Sequence, residues 1–115
     1  MTINLTFDQA LEVWRGAVLE VVRRDPADLS ARQMAVVLTV YLSPPPHTVR
    51  GLAMALNVSK PAITRALDRL EKLEFVRRRR DESDRRSILV QRTVKGSVYL
   101  RETADRITVA AQRPH

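Results

Sequence analysis

The sequence predicts a mainly α-helical fold with one small β-hairpin, arranged as a winged helix-turn-helix flanked by an N-terminal and a C-terminal helix. Two short helical segments joined by a tight turn, the second apolar on one face and basic on the other, are typical of a helix-turn-helix. Two β-prone stretches around a charged loop follow directly and predict the hairpin, which we call the wing. Amphipathic helical segments lie before and after this arrangement.

Two helices are predicted within residues 6–43, ahead of the helix-turn-helix. Apolar residues recur at steps of three and four over residues 6–24, which indicates an amphipathic helix. The next helix begins after Ser30, because Ser30 and Gln33 fit a capping box in which each side chain bonds the other's backbone amide. It ends before the three prolines at 44–46, which cannot continue a helix.

The helix-turn-helix and the wing are predicted between residues 48 and 96. Thr48 caps the short helix 49–56, and Asn57 suits the left-handed conformation that often follows a helix end. Ser59 caps the second helix, the recognition helix, whose first turn accommodates a proline. This helix has an apolar stripe and an opposite basic side, formed respectively by Ile63, Leu67 and Leu70 and by Lys60, Arg65, Arg69 and Lys72.

The wing and a final helix complete the predicted elements. Residues 75–80 and 87–92 are the two β-prone stretches, and the polar residues 81–86 form the loop between them. Thr93 then caps a helix predicted over residues 93–113.

Length and composition exclude several classes of function. The 115 residues match the size of a single domain, residues 1–115, and there is no cysteine to form a disulfide, a thiolate metal site or a nucleophile. No histidine cluster, catalytic set or glycine-rich phosphate loop is recognisable, so we predict no enzyme, no cofactor and no metal site. No apolar run is long enough to span a bilayer and no secretion signal is recognisable, so we expect a cytoplasmic protein without membrane contact.

The positive charge of the chain lies in its middle part. Residues 50–95 hold thirteen basic and six acidic residues, a net charge of +7, which equals the net charge of the whole chain. A local positive field attracts polyanions, and neutralised phosphates release condensed counterions. The alternative, an arginine-rich surface that serves only to keep the protein in solution, stays open on charge alone.

The motifs in this region resemble those of the MarR family of bacterial transcriptional regulators. The helix-turn-helix resemblance lies in Thr48–Ala53, Asn57–Arg65 and Leu67–Leu73. The wing resemblance lies in Arg80–Ser87, an Asp-x-Arg-Arg type of turn, followed by Leu89, Val90, Thr93 and Gly96. The similarity covers about residues 30–100.

The resemblance implies a homodimeric repressor that reads a palindromic operator in double-stranded DNA. Each recognition helix would enter a major groove and each wing the adjacent minor groove, and a small aromatic effector would relieve repression. Two features depart from the family pattern: Glu74 stands where a glycine is frequent, and only 19 residues follow Gly96, which suggests a short member with a truncated C-terminal dimerisation region. We therefore expect the first and last helices to form the dimer.

The exposed side of the recognition helix supplies the candidate base readers. We expect Ala62, Thr64, Arg65, Asp68 and Arg69 to face the major groove, with Arg65 bonding guanine and Ala62 or Thr64 touching a thymine methyl group. The alternative for both arginines is a phosphate contact or a pair with Asp68 and Glu71. At the helix starts, Thr48, Ser59 and Lys60 are candidate phosphate contacts, although helix capping is the simpler role of the two hydroxyls.

The wing supplies candidate contacts to the backbone and the minor groove. Arg85 is expected to enter the minor groove, while Asp84 orients Arg86 by a charge-assisted hydrogen bond. Because side chains alternate along a strand, at most two of the four arginines at 77–80 can face DNA together, and we choose Arg77 and Arg79.

Two further interpretations stay open at this point. Trp14, Met34 and Tyr41 are candidates for an effector pocket, but ordinary core or interface packing explains them more simply. The alternative function is a winged-helix module without sequence specificity, which coats DNA as a nucleoid-associated protein or binds an acidic protein partner.

Overall fold

The computed structural model describes residues 2–24 and 26–112, which form two compact units. One unit comprises residues 29–99, and the other comprises the described residues before 29 together with residues 100–112. The boundary falls inside the last helix, and the single-domain organisation stays a prediction. The elements are α1 Phe7–Arg24, α2 Ala31–Leu42, β1 His47–Thr48, α3 Val49–Leu56, α4 Lys60–Lys72, β2 Val76–Arg80, β3 Ile88–Arg92 and α5 Val94–Ala111.

The core of the first unit lies between helices α2, α3 and α4 and the sheet. Helix α4 packs against both α2 and α3, and the predicted stripe residues Ile63, Leu67 and Leu70 are buried. The largest fully buried side chains are Val36, Val37, Val40, Leu52, Ile63, Leu67, Leu70 and Val76. Because these branched residues fill the interior, α4 is held on a rigid base.

The sheet has three antiparallel strands in the order β1-β3-β2, so β2 is an edge strand. The predicted hairpin is confirmed as β2 and β3, with Arg80 opposite Ile88 nearest the tip. The wing is the hairpin β2–β3 with its connecting residues 81–87. Strand β1 was not predicted, because His47 and Thr48 have no alternating pattern of their own and pair with Val90 and Leu89 of β3.

The predicted helix caps are confirmed. Ser30 and Gln33 form both bonds of a capping box, at 3.1 Å and 2.9 Å. Asn57 adopts the left-handed conformation, with φ 55° and ψ 47°. The hydroxyl of Ser59 accepts from the amide of Ala62 at 3.2 Å. These local signals explain why α2 and α4 begin, and α3 ends, where the sequence predicts.

The start of α5 is fixed to the end of α2 by hydrogen bonds. Thr93 caps α5 as predicted, accepting from the amide of Gly96 at 3.0 Å. The hydroxyl of Tyr41 on α2 accepts from the Thr93 amide at 2.9 Å, and the carbonyl oxygen of Phe75 lies 2.7 Å from it as its acceptor. The guanidinium of Arg92 in turn donates to carbonyl groups at the end of α2. Together, the order of the helices and the three-stranded sheet with its hairpin confirm the predicted winged helix-turn-helix fold.

The second unit contains α1 and residues 100–111 of α5. Helix α1 has a stripe of apolar side chains in solvent, and we call it the α1 stripe: Phe7, Leu11, Trp14, Val18 and Val22. Helix α5 ends at Ala111, and the last residue of its predicted span, 113, lies outside the described residues. Across the described ranges, no helix has the length and apolar character needed to cross a membrane.

Candidate nucleic-acid interface

A basic cleft separates the start of the helix-turn-helix from the wing. It has a volume of about 880 Å³, and α3, α4, β2 and the wing turn all contribute side chains to it. Six basic residues and one acidic residue line it, so its lining carries a net charge of +5. We call this the basic cleft; its lining is Thr48, Val49, Arg50, Lys60, Thr64, Arg78, Arg79, Arg80, Asp84, Arg86, Ser87 and Ile88.

Helices α3 and α4 have their N-termini at or beside this cleft. The hydroxyl of Thr48 caps α3 by accepting from the Gly51 amide at 2.9 Å, and Ser59 caps α4. Both residues therefore perform the capping role that was one of their two interpretations. Each hydroxyl can still donate a hydrogen bond, and a helix N-terminus favours an anion. Lys60 and Thr64, in the first turns of α4, line the cleft as well.

The exposed side of α4 carries most of the predicted base readers. Thr64, Arg65 and Asp68 are exposed, and Arg69 is half-buried. Ala62 differs from them, because only 5% of it is exposed on the protein without DNA. The reason is that α4 packs against two helices, which makes its buried face wider than the stripe read from the sequence. The contact of Ala62 with a thymine methyl group stays a prediction.

Arg78 joins the wing to α4. Its Nη2 donates to Oδ1 of Asp68 at 2.7 Å and to Oε1 of Glu71 at 3.1 Å, and its amide donates to Oε2 of Glu71 at 2.8 Å. Asp68, predicted to face the groove, thus forms an ion pair with a strand residue. The pKa of Glu71 lies below its ordinary value. The larger cause is the hydrogen bond from the Arg78 amide, and the next is the hydrogen bond from the Arg78 side chain.

The remaining arginines of β2 are exposed. Strand alternation puts Arg78 on the side of the buried Val76, while Arg77 and Arg79 point the other way. Arg79 lines the basic cleft and lies 3.6 Å from the carboxylate of Glu82, whereas Arg77 does not contribute to the lining. Of the predicted pair, one member is thus part of the cleft.

The wing turn is organised by two aspartates. Oδ1 of Asp84 accepts from the Arg86 amide at 3.1 Å and lies 3.9 Å from the guanidinium Nε of the same residue. Oδ1 of Asp81 accepts from both the hydroxyl and the amide of Ser83, which lowers the pKa of Asp81. The Arg86 side chain is 98% exposed, and Arg85 is exposed beside it. The turn is therefore fixed while both arginines extend into solvent.

The candidate effector residues lie in different surroundings. The Tyr41 hydroxyl is engaged with the backbone of Phe75 and Thr93, and Met34 is half-buried on α2. Trp14 belongs to the other unit, where the residue is 68% exposed on α1. An effector pocket formed by these three residues stays a prediction.

Three basic residues of the cleft were not among the predicted contacts. Arg50 lies two residues after the Thr48 cap, in the first turn of α3, and its positive charge beside this candidate phosphate contact could have identified it. Arg78 and Arg80 cannot be selected from the sequence, because alternation along β2 gives two sides without indicating which one faces α4.

Comparison with known proteins agrees with this arrangement. A family model described as MarR family matches residues 29–88. The transcriptional regulator Tm0710 from Thermotoga maritima is similar in structure, with a TM-score of 0.76 at 22% identity over 89% of this chain and 69% of that one. BldR from Sulfolobus solfataricus is 30% identical with a TM-score of 0.64, over 89% of this chain and 73% of its own.

A structure of overoxidized AbfR bound to DNA is also similar. It is 25% identical with a TM-score of 0.69, and the match covers 89% of this chain and 75% of that one. The family model spans more than half of the sequence, and BldR is matched over more than two thirds of its length. The chain therefore belongs to the MarR family.

Proposed function

We propose that this protein is a homodimeric, sequence-specific transcriptional repressor that reads a palindromic operator in double-stranded DNA. Helix α4 enters the major groove and the wing contacts the adjacent minor groove. The observation that carries the proposal is the basic cleft, in which the start of the helix-turn-helix and the wing present six basic side chains together. The similarity to AbfR, whose structure contains DNA, supports the same reading.

The electrostatics of the cleft fit a phosphate backbone. Two helix N-termini, at Thr48 and Ser59, add partial positive charge beside the cationic side chains. Backbone amides and cations at such positions fix the register of a protein on a duplex. Arg85 and Arg86 extend from an ordered turn, which suits insertion of one of them into a narrow minor groove.

Base reading is assigned to α4. Arg65 is exposed beside Thr64, where a guanidinium can donate two hydrogen bonds to guanine. Because an arginine in the minor groove responds to the width and potential of the groove, and not to the hydrogen-bonding pattern of single base pairs, loss of Arg65 and loss of Arg85 are expected to have different effects.

The α1 stripe supports the homodimer. Its five large apolar residues recur at steps of three and four, so they share one side of α1 and remain in solvent. A row of exposed large side chains of this kind is typical of an interaction surface. We assign it to a second copy of the chain.

Selection of preferred duplexes from a random pool, followed by footprinting, tests the sequence-specific part. We expect a palindrome with half-sites about one helical turn apart, roughly 34–36 Å. A reporter whose promoter overlaps that site should lose expression when the protein is present. Equal binding of all duplexes at moderate salt would instead favour the nucleoid-associated alternative.

Two arginine variants test the division of roles. Arg65→Ala and Arg85→Ala should both remain folded and bind the selected duplex at least tenfold more weakly, but only Arg65→Ala should broaden the base preference. Arg15→Ala, which removes an exposed arginine from α1, is the matched control and should bind normally. A base preference unchanged in Arg65→Ala would contradict the assignment.

The oligomeric state is tested by light scattering over a range of concentrations. The wild type should have twice the 13.1 kDa mass of the chain, and Trp14→Glu should shift it towards the monomer. Val13→Glu is the control, because Val13 is an exposed apolar residue of α1 outside the stripe. A monomeric wild type, or equal dissociation of both variants, would overturn the assigned interface.

A further inference from the structure

We propose that Arg78 is a positioning residue that fixes the wing against α4 through Asp68 and Glu71, and does not itself contact a phosphate. The inference rests on the proposed function, because it concerns how the DNA-binding surface is held in shape. It also gives Asp68 a role other than base reading: its carboxylate holds Arg78.

The geometry of the guanidinium is the first argument. One nitrogen, Nη2, lies within hydrogen-bond distance of two carboxylates, at 2.7 Å from Asp68 and 3.1 Å from Glu71. Asp68 and Glu71 are three residues apart, so they lie side by side on α4. A strand residue held between them fixes a point of β2 against the recognition helix.

The second argument is that Glu71 binds both the backbone amide and the side chain of Arg78. Because β2 is the edge strand, an amide that points away from β3 needs another acceptor. The amide of Arg78 finds it in Oε2 of Glu71 at 2.8 Å, while Oε1 accepts from the side chain. The contact between β2 and α4 therefore does not depend only on the conformation of the Arg78 side chain, because a main-chain bond also maintains it.

Charge and burial form the third argument. The Arg78 side chain is 23% exposed and has two anionic partners, so its charge is already compensated within the protein. Its neighbour Arg79 is 53% exposed and has one partner in the wing at 3.6 Å. If Arg78 turned to a phosphate, two carboxylates would be left uncompensated on the DNA-facing side. If Arg79 turned to a phosphate, only the exposed carboxylate of Glu82 would lose a partner.

The salt dependence of operator binding separates the two arginines. Each phosphate contact contributes about 0.9 to the slope of log K against log salt. Arg79→Gln should weaken binding and reduce the slope by about this amount. Arg78→Gln should weaken binding about tenfold with an unchanged slope, because no phosphate contact is lost. A slope that falls equally in both variants would overturn the proposal.

A double-mutant cycle with Asp68→Ala tests the pairing. Asp68 is 60% exposed, so this variant is expected to fold. In the Arg78→Gln background, Asp68 is an unpaired anion facing DNA, and its removal should restore affinity about threefold. In the wild-type background the same change breaks the link and should restore nothing. Additive effects would overturn the proposal.

Hydrogen exchange of the free protein gives a readout without DNA. The Arg78 amide should be protected in the wild type and lose protection in Glu71→Ala, while the Val90 amide of the inner strand β3 stays protected. An unprotected wild-type Arg78 amide would overturn the link itself. A wild type that binds no duplex would overturn the proposed function, whereas tight binding with a reduced slope in Arg78→Gln would overturn only the role of Arg78.

Discussion

The hydroxyl of Tyr41 occupies the space that a side chain at position 96 would need. A Cβ placed on Gly96 would lie well inside van der Waals distance of the Tyr41 hydroxyl and of the carbonyl oxygen of Phe75. The absence of a side chain therefore lets the first turn of α5 approach the end of α2 and the start of β2. This contact fixes where α5 leaves the winged helix.

Replacement of Gly96 by alanine is expected to destabilise the protein. The methyl group would meet a backbone carbonyl that cannot move away, and overpacking of this kind costs about 1–3 kcal/mol. Gly51→Ala is a matched control, because Gly51 has the same position after a threonine cap and its Cβ would be 3.1 Å from the Thr48 hydroxyl. Urea unfolding should place the control within about 1 kcal/mol of the wild type; equal losses would contradict the argument.

Removal of the Tyr41 hydroxyl is expected to weaken the same region. In Tyr41→Phe the amide of Thr93 loses its acceptor and the carbonyl of Phe75 its donor, and a polar group left unpaired costs about 1–3 kcal/mol. Thr39→Val is the control, because the hydroxyl of Thr39 bonds a carbonyl within α2 itself. The free energy of unfolding should fall more in Tyr41→Phe, and a reverse order would refute the prediction.

The sequence predicts the parts of the fold that depend on local signals. Four helices begin at the predicted capping residues, which are Ser30, Thr48, Ser59 and Thr93. A cap is predictable because it needs only a short polar side chain and the amide two or three residues later. Strand β1 depends instead on pairing with β3, more than 40 residues away, and no local pattern indicates it. Non-local pairing is the information that a single sequence lacks.

The candidate site follows the same division. The basic residues of α4 and the wing could be identified from charge and spacing, but their surroundings could not. Ala62 is buried because two helices pack on α4. Arg78 is held by Asp68 and Glu71, which lie ten and seven residues before it in the chain. This contact cannot be predicted, because the sequence does not specify the path of the turn between α4 and β2. Charge predicts that the surface is basic, and packing decides which arginines are available.

Glu74 is expected to be replaceable by glycine with a gain in stability. It follows α4 with a φ of +64°, and the amides of Glu74 and Phe75 bond the carbonyls of Glu71 and Leu70, the pattern of a Schellman motif. Glycine adopts this conformation without steric cost, so Glu74→Gly should raise the free energy of unfolding by about 0.5–1 kcal/mol. The exposed pair that Glu74 forms with Lys95 contributes little.

The control for this prediction is Glu74→Ala. Alanine keeps the cost of the left-handed conformation and also removes the pair with Lys95, so this variant should be no more stable than the wild type. Equal gains in both variants would indicate that the charge of Glu74, and not its backbone conformation, is unfavourable. Thermal unfolding of the three proteins in one buffer decides between these explanations.

The link between Glu71 and Arg78 is expected to make stability depend on acidity. The pKa of Glu71 in the folded protein lies below its ordinary value of 4.5, so the carboxylate stabilises the fold above that pH. The contribution is lost as the pH falls from 4.5 through the folded-state pKa, because the protonated group bonds Arg78 more weakly. Glu71→Gln should therefore lose less stability than the wild type on acidification over this range.

The partner variant Arg78→Gln completes this test. Arg78→Gln keeps the bond from the amide of residue 78 to Glu71, which is the larger cause of the lowered pKa, and removes the bond and the charge of the guanidinium. Adding Glu71→Gln to this background should therefore still reduce the acid-induced loss of stability, but by less than it does in the wild type. Urea midpoints measured above and below pH 4.5 for the four proteins provide the comparison. An equal effect of Glu71→Gln in both backgrounds would mean that the guanidinium contributes nothing and that the amide bond alone is responsible. No effect in either background would mean that the acid sensitivity arises from other carboxylates.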